Sequence, residues 1–148
     1  MTDAVLDTNA LASAVIGEAV FESTPGELFR RWRNGRYELF LSEHILAEFV
    51  RTMTKPYYRA RLTPAQIDRA VEAFRNRGHV VAISVAVSGV ATHPADDLVL
   101  ATAVSAGVPF LVSGDRGLLG VGLYQGVKIV SPTSFRELLD REAAEPMR

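Results

Sequence analysis

The chain has no cysteine among its 148 residues. That absence excludes disulfides, thiolate nucleophiles and cysteine-ligated zinc together, so any chemistry falls to carboxylates, hydroxyls, amines and three histidines. Long apolar runs are also missing. No uninterrupted stretch approaches the roughly 20 residues of a membrane helix, and Met1-Thr2-Asp3 lacks the basic start of a secretory leader. No membrane contact and a cytoplasmic location are the resulting expectations. Net charge is scarce at -1, which says little about partners, because a nucleic-acid binder shows itself by a basic patch rather than a basic total. Such a concentration exists: half of the 16 Lys and Arg fall between Arg30 and Arg61.

What the chain does contain suits a folded domain. It is 48% hydrophobic and 22% charged, close to ordinary globular composition, and its length predicts one domain over residues 1–148 with a frayed tail from about residue 142. Ala4-Val5-Leu6 reads as a buried strand emerging at an acid. A short helix over Leu11 to Ile16, a loop over residues 18–25 and a helix from about Gly26 to Arg33 follow, stopped by Asn34-Gly35. Tyr37 to Leu41 reads as a second strand, and Ser42 as the cap of a helix to about Met53 that Pro56 ends. Thr63-Pro64 opens a helix to Gly78, with Ile67, Val71 and Phe74 at helical spacing.

The β-branched run from His79 to Val87 predicts strand three. The segment from Pro94 to Ala106 is a helix so apolar that it must be buried. Strands at Pro109 to Ser113 and Val127 to Val130 and a helix from Pro132 to Asp140 complete the pattern. Strands alternating with helices predict a three-layer α/β/α fold around a five-stranded, mostly parallel sheet. In such sheets reactive groups gather beyond the carboxyl ends of the strands, where strand order reverses.

That rule selects Asp7 and Asp115, each at the end of a predicted strand. Either alone is more ordinarily a turn or cap residue; two such ends together favour a site. Asp96 and Asp97 fall in the first turn of the Pro94 helix, where negative charge is favoured in any case. On a wheel, however, Asp96 shares its face with Val99, Leu100 and Ala103, which predicts that it points inward, where a carboxylate wants a partner or a cation. Glu48 lies outside the apolar stripe of Ile45, Leu46, Phe49, Val50 and Met53, and its helix pattern alone reads as a solvated glutamate. Converging carboxylates with no neutralising base are stable mainly around a divalent cation with oxygen ligands, so Mg2+ or Mn2+ is the expected cofactor. His44, His79 and His93 have no zinc-like spacing.

Taken in order, Val5-Leu6-Asp7-Thr8-Asn9, Ser42-Glu43-His44-Ile45-Leu46-Ala47-Glu48-Phe49, Pro94-Ala95-Asp96-Asp97-Leu98-Val99-Leu100-Ala101-Thr102-Ala103 and Leu111-Val112-Ser113-Gly114-Asp115 give the chain a family likeness. It resembles the PIN-domain nucleases, and within them the VapC-like toxin components of toxin-antitoxin pairs, over about residues 4–139. The resemblance implies a catalytic and metal-binding quartet of Asp7, Glu48, Asp96 and Asp115, supported by Asn9, Asp97 and Ser113. The choice of Asp96 over Asp97 follows from registering Leu100-Ala101-Thr102-Ala103 with relatives. Relatives often carry Thr at the position of Ser113, another acid at that of Gly117, and Asp at that of His93.

The implied activity is metal-dependent hydrolysis of an RNA phosphodiester, leaving a 5'-phosphate and a 3'-hydroxyl. An antitoxin protein is the implied partner and a homodimer the implied assembly. Phosphates approaching an acidic pocket need basic surface nearby. Arg51, Lys55, Tyr57, Arg59 and Arg61 suit that, with rings among cations able to stack unpaired bases; the same stretch is equally compatible with a solvated loop or with a groove for an antitoxin peptide. Two other functions suit the pattern less well. An aspartate-nucleophile phosphatase would use Asp7 at the end of the first strand, but usually needs an acid where Asn9 stands. A non-catalytic RNA- or antitoxin-binding module would leave the clustered acids without a purpose.

Overall fold

The computed structural model describes residues 1–19 and 23–145. Its strands are β1 (Asp3–Leu6), β2 (Glu38–Leu41), β3 (His79–Val80), β4 (Phe110–Val112), β5 (Leu123–Tyr124) and β6 (Val127–Val130). Its helices are α1 (Thr8–Ala19), α2 (Thr24–Arg33), α3 (Glu43–Met53), α4 (Pro56–Arg59), α5 (Pro64–Arg77), α6 (Pro94–Ala106), α7 (Arg116–Val121) and α8 (Pro132–Ala144). The sheet order is β3-β2-β1-β4-β6-β5. Every pairing is parallel except that of β5 with β6, and helices flank the sheet in three layers, as the alternating pattern requires.

Strand β1 is the pivot. The chain leaves it toward β2 on one side and returns to β4 on the other, so the order reverses between β1 and β4, where a crevice opens beyond the strand ends. The register sets Leu6 beside Val112, and the Asp7 N–H continues the ladder to the Val112 carbonyl at 3.0 Å. Core residues of β1 and β4 (Ala4, Val5, Leu6, Leu111 and Val112) are at most 2% exposed. The crevice is therefore framed by rigid, buried backbone.

Packing around the sheet explains several element boundaries. Helices α1 and α2 cross closely because Gly17 and Gly26 meet: a Cβ on Gly26 would lie 2.5 Å from the Gly17 carbonyl carbon. Phe29, Trp32, Phe49 and Phe74 interlock α2, α3 and α5. Ser42 caps α3 through the Ile45 N–H and accepts a bond from the Thr102 hydroxyl of α6 at 2.8 Å, tying the two acid-bearing helices together.

The structure departs from the sequence expectation at several places. The predicted third strand ends after two residues, because its only partner, β2, stops at Leu41 where Ser42 caps α3; Val81 N–H to the Leu41 carbonyl, 2.8 Å, is the last bond. The sheet has six strands rather than five. The addition is β5, turned onto β6 by Gln125 and Gly126, both at positive φ, as a two-residue hairpin turn demands.

Helix α1 starts at Thr8, not Leu11, because Asp7 caps it. Helix α8 runs past Asp140 to Ala144, so the tail expected to fray at residue 142 is helical there. Residues 20–22 of the expected loop, and 146–148, lie outside the described residues. Among the described residues no helix is long and apolar enough to cross a membrane.

Candidate active site

Asp7 follows β1 directly and is 4% exposed. Its Oδ1 accepts the Ala10 N–H at 2.8 Å, closing the first turn of α1, and its Oδ2 accepts a short bond from the Ser113 hydroxyl. Ser113 in turn accepts the Asp115 N–H at 2.9 Å. The Asp115 Oδ2 caps α7 through the Leu118 N–H, also at 2.9 Å. Each aspartate thus does the ordinary work of a helix cap, and that work is what aims it into the crevice. Capping and chemistry are not alternatives here.

The electrostatics bear the mark of crowded negative charge. Burial lifts the Asp7 carboxyl from its usual 3.8 to about 6, against the pull of the Ser113 and Ala10 hydrogen bonds, and the charges of Asp96 and Asp115 push it further in the same direction. Asp96, half-buried in the first turn of α6, is raised by burial and then by Asp115, with smaller upward pushes from Asp97 and Glu48 and a downward one from His93. Asp7 thus feels the charges of Asp96 and Asp115, and Asp96 those of Asp115 and Glu48. Among the described residues no Lys, Arg or His forms a salt bridge to Asp7, Asp96 or Asp115.

The other expected residues are distributed as follows. Glu48 stands on α3, partly exposed, and holds Arg51 one turn on in a short ion pair. Asn9 is exposed beside Asp115 in a cleft of about 400 Å3 that also includes Ser13, Pro25 and Pro132. Asp97 is the more buried of the adjacent pair, contrary to the wheel that pointed Asp96 inward; the reason is local, since Asp97 accepts the backbone N–H groups of Gly89, Val90 and Ala91. Lys55, Tyr57, Arg59 and Arg61 are exposed on and around α4. The Arg61 guanidinium lies over the Tyr57 ring at 3.8 Å from its centroid.

Sequence reasoning missed the contact between Thr92 and Gly117 beside Asp115, for which the chain carries no signal beyond the glycine itself.

The donor chemistry fits a hard divalent cation. The donors are oxygen only, and each carboxylate oxygen offers two lone pairs, so Asp7 and Asp115 keep acceptor capacity beyond their capping bonds. As the side chains stand, no three acidic or histidine groups among the described residues gather around one position that could hold an ion.

Comparison with known proteins bears on the family and the fold. A sequence-family model described as PIN domain matches residues 3–117. The fold is similar to a chain in the crystal structure of VapBC2 from Rickettsia felis bound to a DNA fragment from their promoter, with a TM-score of 0.58 and 14% identity, covering 88% of this chain and 98% of that one. At that identity the likeness speaks for the fold. No curated protein sequence matches the chain.

Proposed function

The chain belongs to the PIN-domain family, and from that premise we propose that it is a divalent-metal-dependent endoribonuclease acting as the toxin of a toxin-antitoxin pair. The observation that carries the reading is the meeting of Asp7, Asp96 and Asp115 at the reversal point of the sheet, where burial raises the Asp7 and Asp96 carboxyls and the neighbouring acids add to it. A protein that keeps three carboxylates in mutual repulsion without a basic partner gains from a cation placed among them.

Asp7, Asp96 and Asp115 would hold Mg2+ or Mn2+, and Glu48, released from Arg51, would complete the shell or orient the attacking water. A divalent cation bound there supplies charge to polarise a phosphoryl oxygen and to acidify water. The remaining work belongs to the protein. Ser113 donates to Asp7 while accepting from the Asp115 backbone, so one hydroxyl fixes the aim of two carboxylates. Asn9, exposed beside Asp115, would hydrogen-bond the scissile phosphate or ribose.

Single-stranded RNA would approach over the surface of Arg51, Lys55, Tyr57, Arg59 and Arg61. The stacked Arg61 and Tyr57 present a planar cation on which an unpaired base can lie. An antitoxin covering this approach, in the manner its place in a toxin-antitoxin pair suggests, would inhibit without touching the acids, and a cytoplasmic homodimer is the proposed state.

Purified protein incubated with single-stranded RNA and Mg2+ or Mn2+ tests the reading. Cleavage is expected to fall by at least about a hundredfold in Asp7→Asn, whose far-ultraviolet circular dichroism stays that of the wild type. Equal cleavage by the two preparations would identify a contaminant and remove the catalytic assignment. Growth arrest on expression of the wild type, absent for Asp7→Asn, is the expected cellular counterpart.

A further inference from the structure

Between β3 and α6 the chain runs from residue 81 to residue 92 without regular structure, yet it is pinned along its length. The Ser84 N–H donates to Ser105 Oγ of α6 at 2.9 Å. Further on, one carboxylate gathers three successive backbone donors: Asp97 Oδ2 accepts from Gly89 at 3.0 Å, and Oδ1 from Val90 at 3.2 Å and Ala91 at 2.7 Å. Gly89, at φ +71, lets the chain curl around it.

The turn then rests on the other acid-bearing helix. A Cβ built at Gly117 would stand 2.6 Å from Thr92 Oγ1 and 3.0 Å from Asp115 Oδ2. Thr92 Oγ1 thus stands in the space that a side chain at residue 117 would take. One short turn is therefore clamped to the first turn of α6 by the residue next to Asp96, and abuts the first turn of α7 beside Asp115. At the start of α6 the N-cap position is His93, whose side chain makes no capping bond, so that helix end is tied down by the Asp97 clamp and by His44 Nε2, which reaches the Ala95 carbonyl at 3.2 Å. Asp96 and Asp115 repel each other, and a brace between them opposes their separation.

We propose that Asp97 and Gly117 are positioning residues: they seat the 89–92 turn between α6 and α7 and so fix the separation of Asp96 from Asp115 on which divalent-cation binding depends. The inference rests on the nuclease reading above, but adds a role for two residues that need touch neither cation nor RNA. In this chain position 117 holds no side chain because the turn occupies its space, so the wall of the site beside Asp115 is built from Thr92.

Mn2+ binding, followed by the electron paramagnetic resonance of the free ion, separates this role from mere folding. Wild type, Asp97→Asn, Gly117→Ala and the double variant Thr92→Ala/Gly117→Ala are compared, with RNA cleavage measured in parallel. Asp97→Asn and Gly117→Ala are expected to weaken Mn2+ binding by roughly tenfold or more, the usual effect of losing a group that orients a ligand, and to lower kcat with little change in KM for RNA.

The double variant is expected to recover part of the lost affinity, because without Thr92 Oγ1 the new Cβ meets the residue-92 Cβ at 3.5 Å, an ordinary contact, and only its 3.0 Å approach to Asp115 Oδ2 is left. Should Asp97→Asn fail to fold, Gly117→Ala and its rescue carry the test. Unchanged Mn2+ affinity in the single variants, with wild-type binding intact, overturns the positioning role and leaves the nuclease reading standing. A double variant as weak as Gly117→Ala overturns the Thr92 brace. A wild type that neither binds Mn2+ nor cleaves RNA overturns both.

Discussion

Asp7 joins helix capping, burial and charge in one side chain. Its folded-state carboxyl titrates at about 6 against the usual 3.8, so the folded protein holds this proton more tightly than the unfolded chain. Stability from this group is therefore full below about pH 4, declines as pH rises, and is lowest above about pH 6. The difference corresponds to a penalty on the order of 1–3 kcal/mol at neutral pH. Asp7→Asn removes the charge at nearly constant shape. In chelator at pH 7.5 it is expected to melt higher than wild type, with the gain vanishing near pH 4 in thermal scans; a variant that melts lower at pH 7.5 would contradict the strain assigned to Asp7. Ser113→Ala removes the hydroxyl that draws the Asp7 carboxyl down. The acidic limb of its pH–rate profile should move to higher pH, and Ser113→Thr, which keeps the hydroxyl, should restore it.

Elements deliver these residues because their ends are tied to one another. Ser42 ends β2, caps α3 and receives the Thr102 hydroxyl from α6, so it couples the helix of Glu48 to that of Asp96. Ser42→Ala loses the cap of α3 and the tie to Thr102, whose hydroxyl keeps the Leu98 carbonyl as acceptor, and a loss of about 1 kcal/mol is expected in urea unfolding. On the opposite side of the chain's path, α1 and α2 approach through glycine. Gly26→Ala would press a methyl against the Gly17 backbone and should lower stability by about 1–3 kcal/mol, the usual effect of overpacking. A Gly26→Ala protein as stable as wild type would show that the helices can part without loss.

For the molecule as a whole, the repulsion among the acids and the presence of exposed cations around α4 predict opposite responses to ions. A cation binding only the folded state raises the melting temperature, by about 2.7 kcal/mol of stability at a hundred times its dissociation constant. Because it neutralises the charge that destabilises Asp7, saturating Mn2+ should also flatten the loss of stability between pH 4 and pH 6. Asp7→Asn should show neither effect. Monovalent salt should act on the other side of the reaction, weakening RNA capture through the exposed cations around α4 and raising KM steeply with ionic strength. A KM indifferent to salt would separate this basic surface from substrate binding.

The sequence by itself determined the architecture and two of the acids, because both follow from local pattern. A buried strand ending in Asp is legible residue by residue, and an open parallel sheet has one kind of place for such ends, so Asp7 and Asp115 could be read from Val5-Leu6-Asp7 and Leu111-Val112-Ser113-Gly114-Asp115. Asp96 needed a helical wheel and the register of its apolar run, and Glu48 came from resemblance, since nothing in its own helix distinguishes it from a solvated glutamate.

Tertiary structure decided the rest. The β-branched run after His79 has strand propensity throughout, but a strand needs a partner, and β2 ends at Leu41; what remains becomes the turn that Asp97 clamps. The assignment of Asp97 to the backbone donors of the preceding turn and the seating of Thr92 against Gly117 depend on segments brought together by the fold, and such pairwise geometry leaves no periodic trace in the sequence.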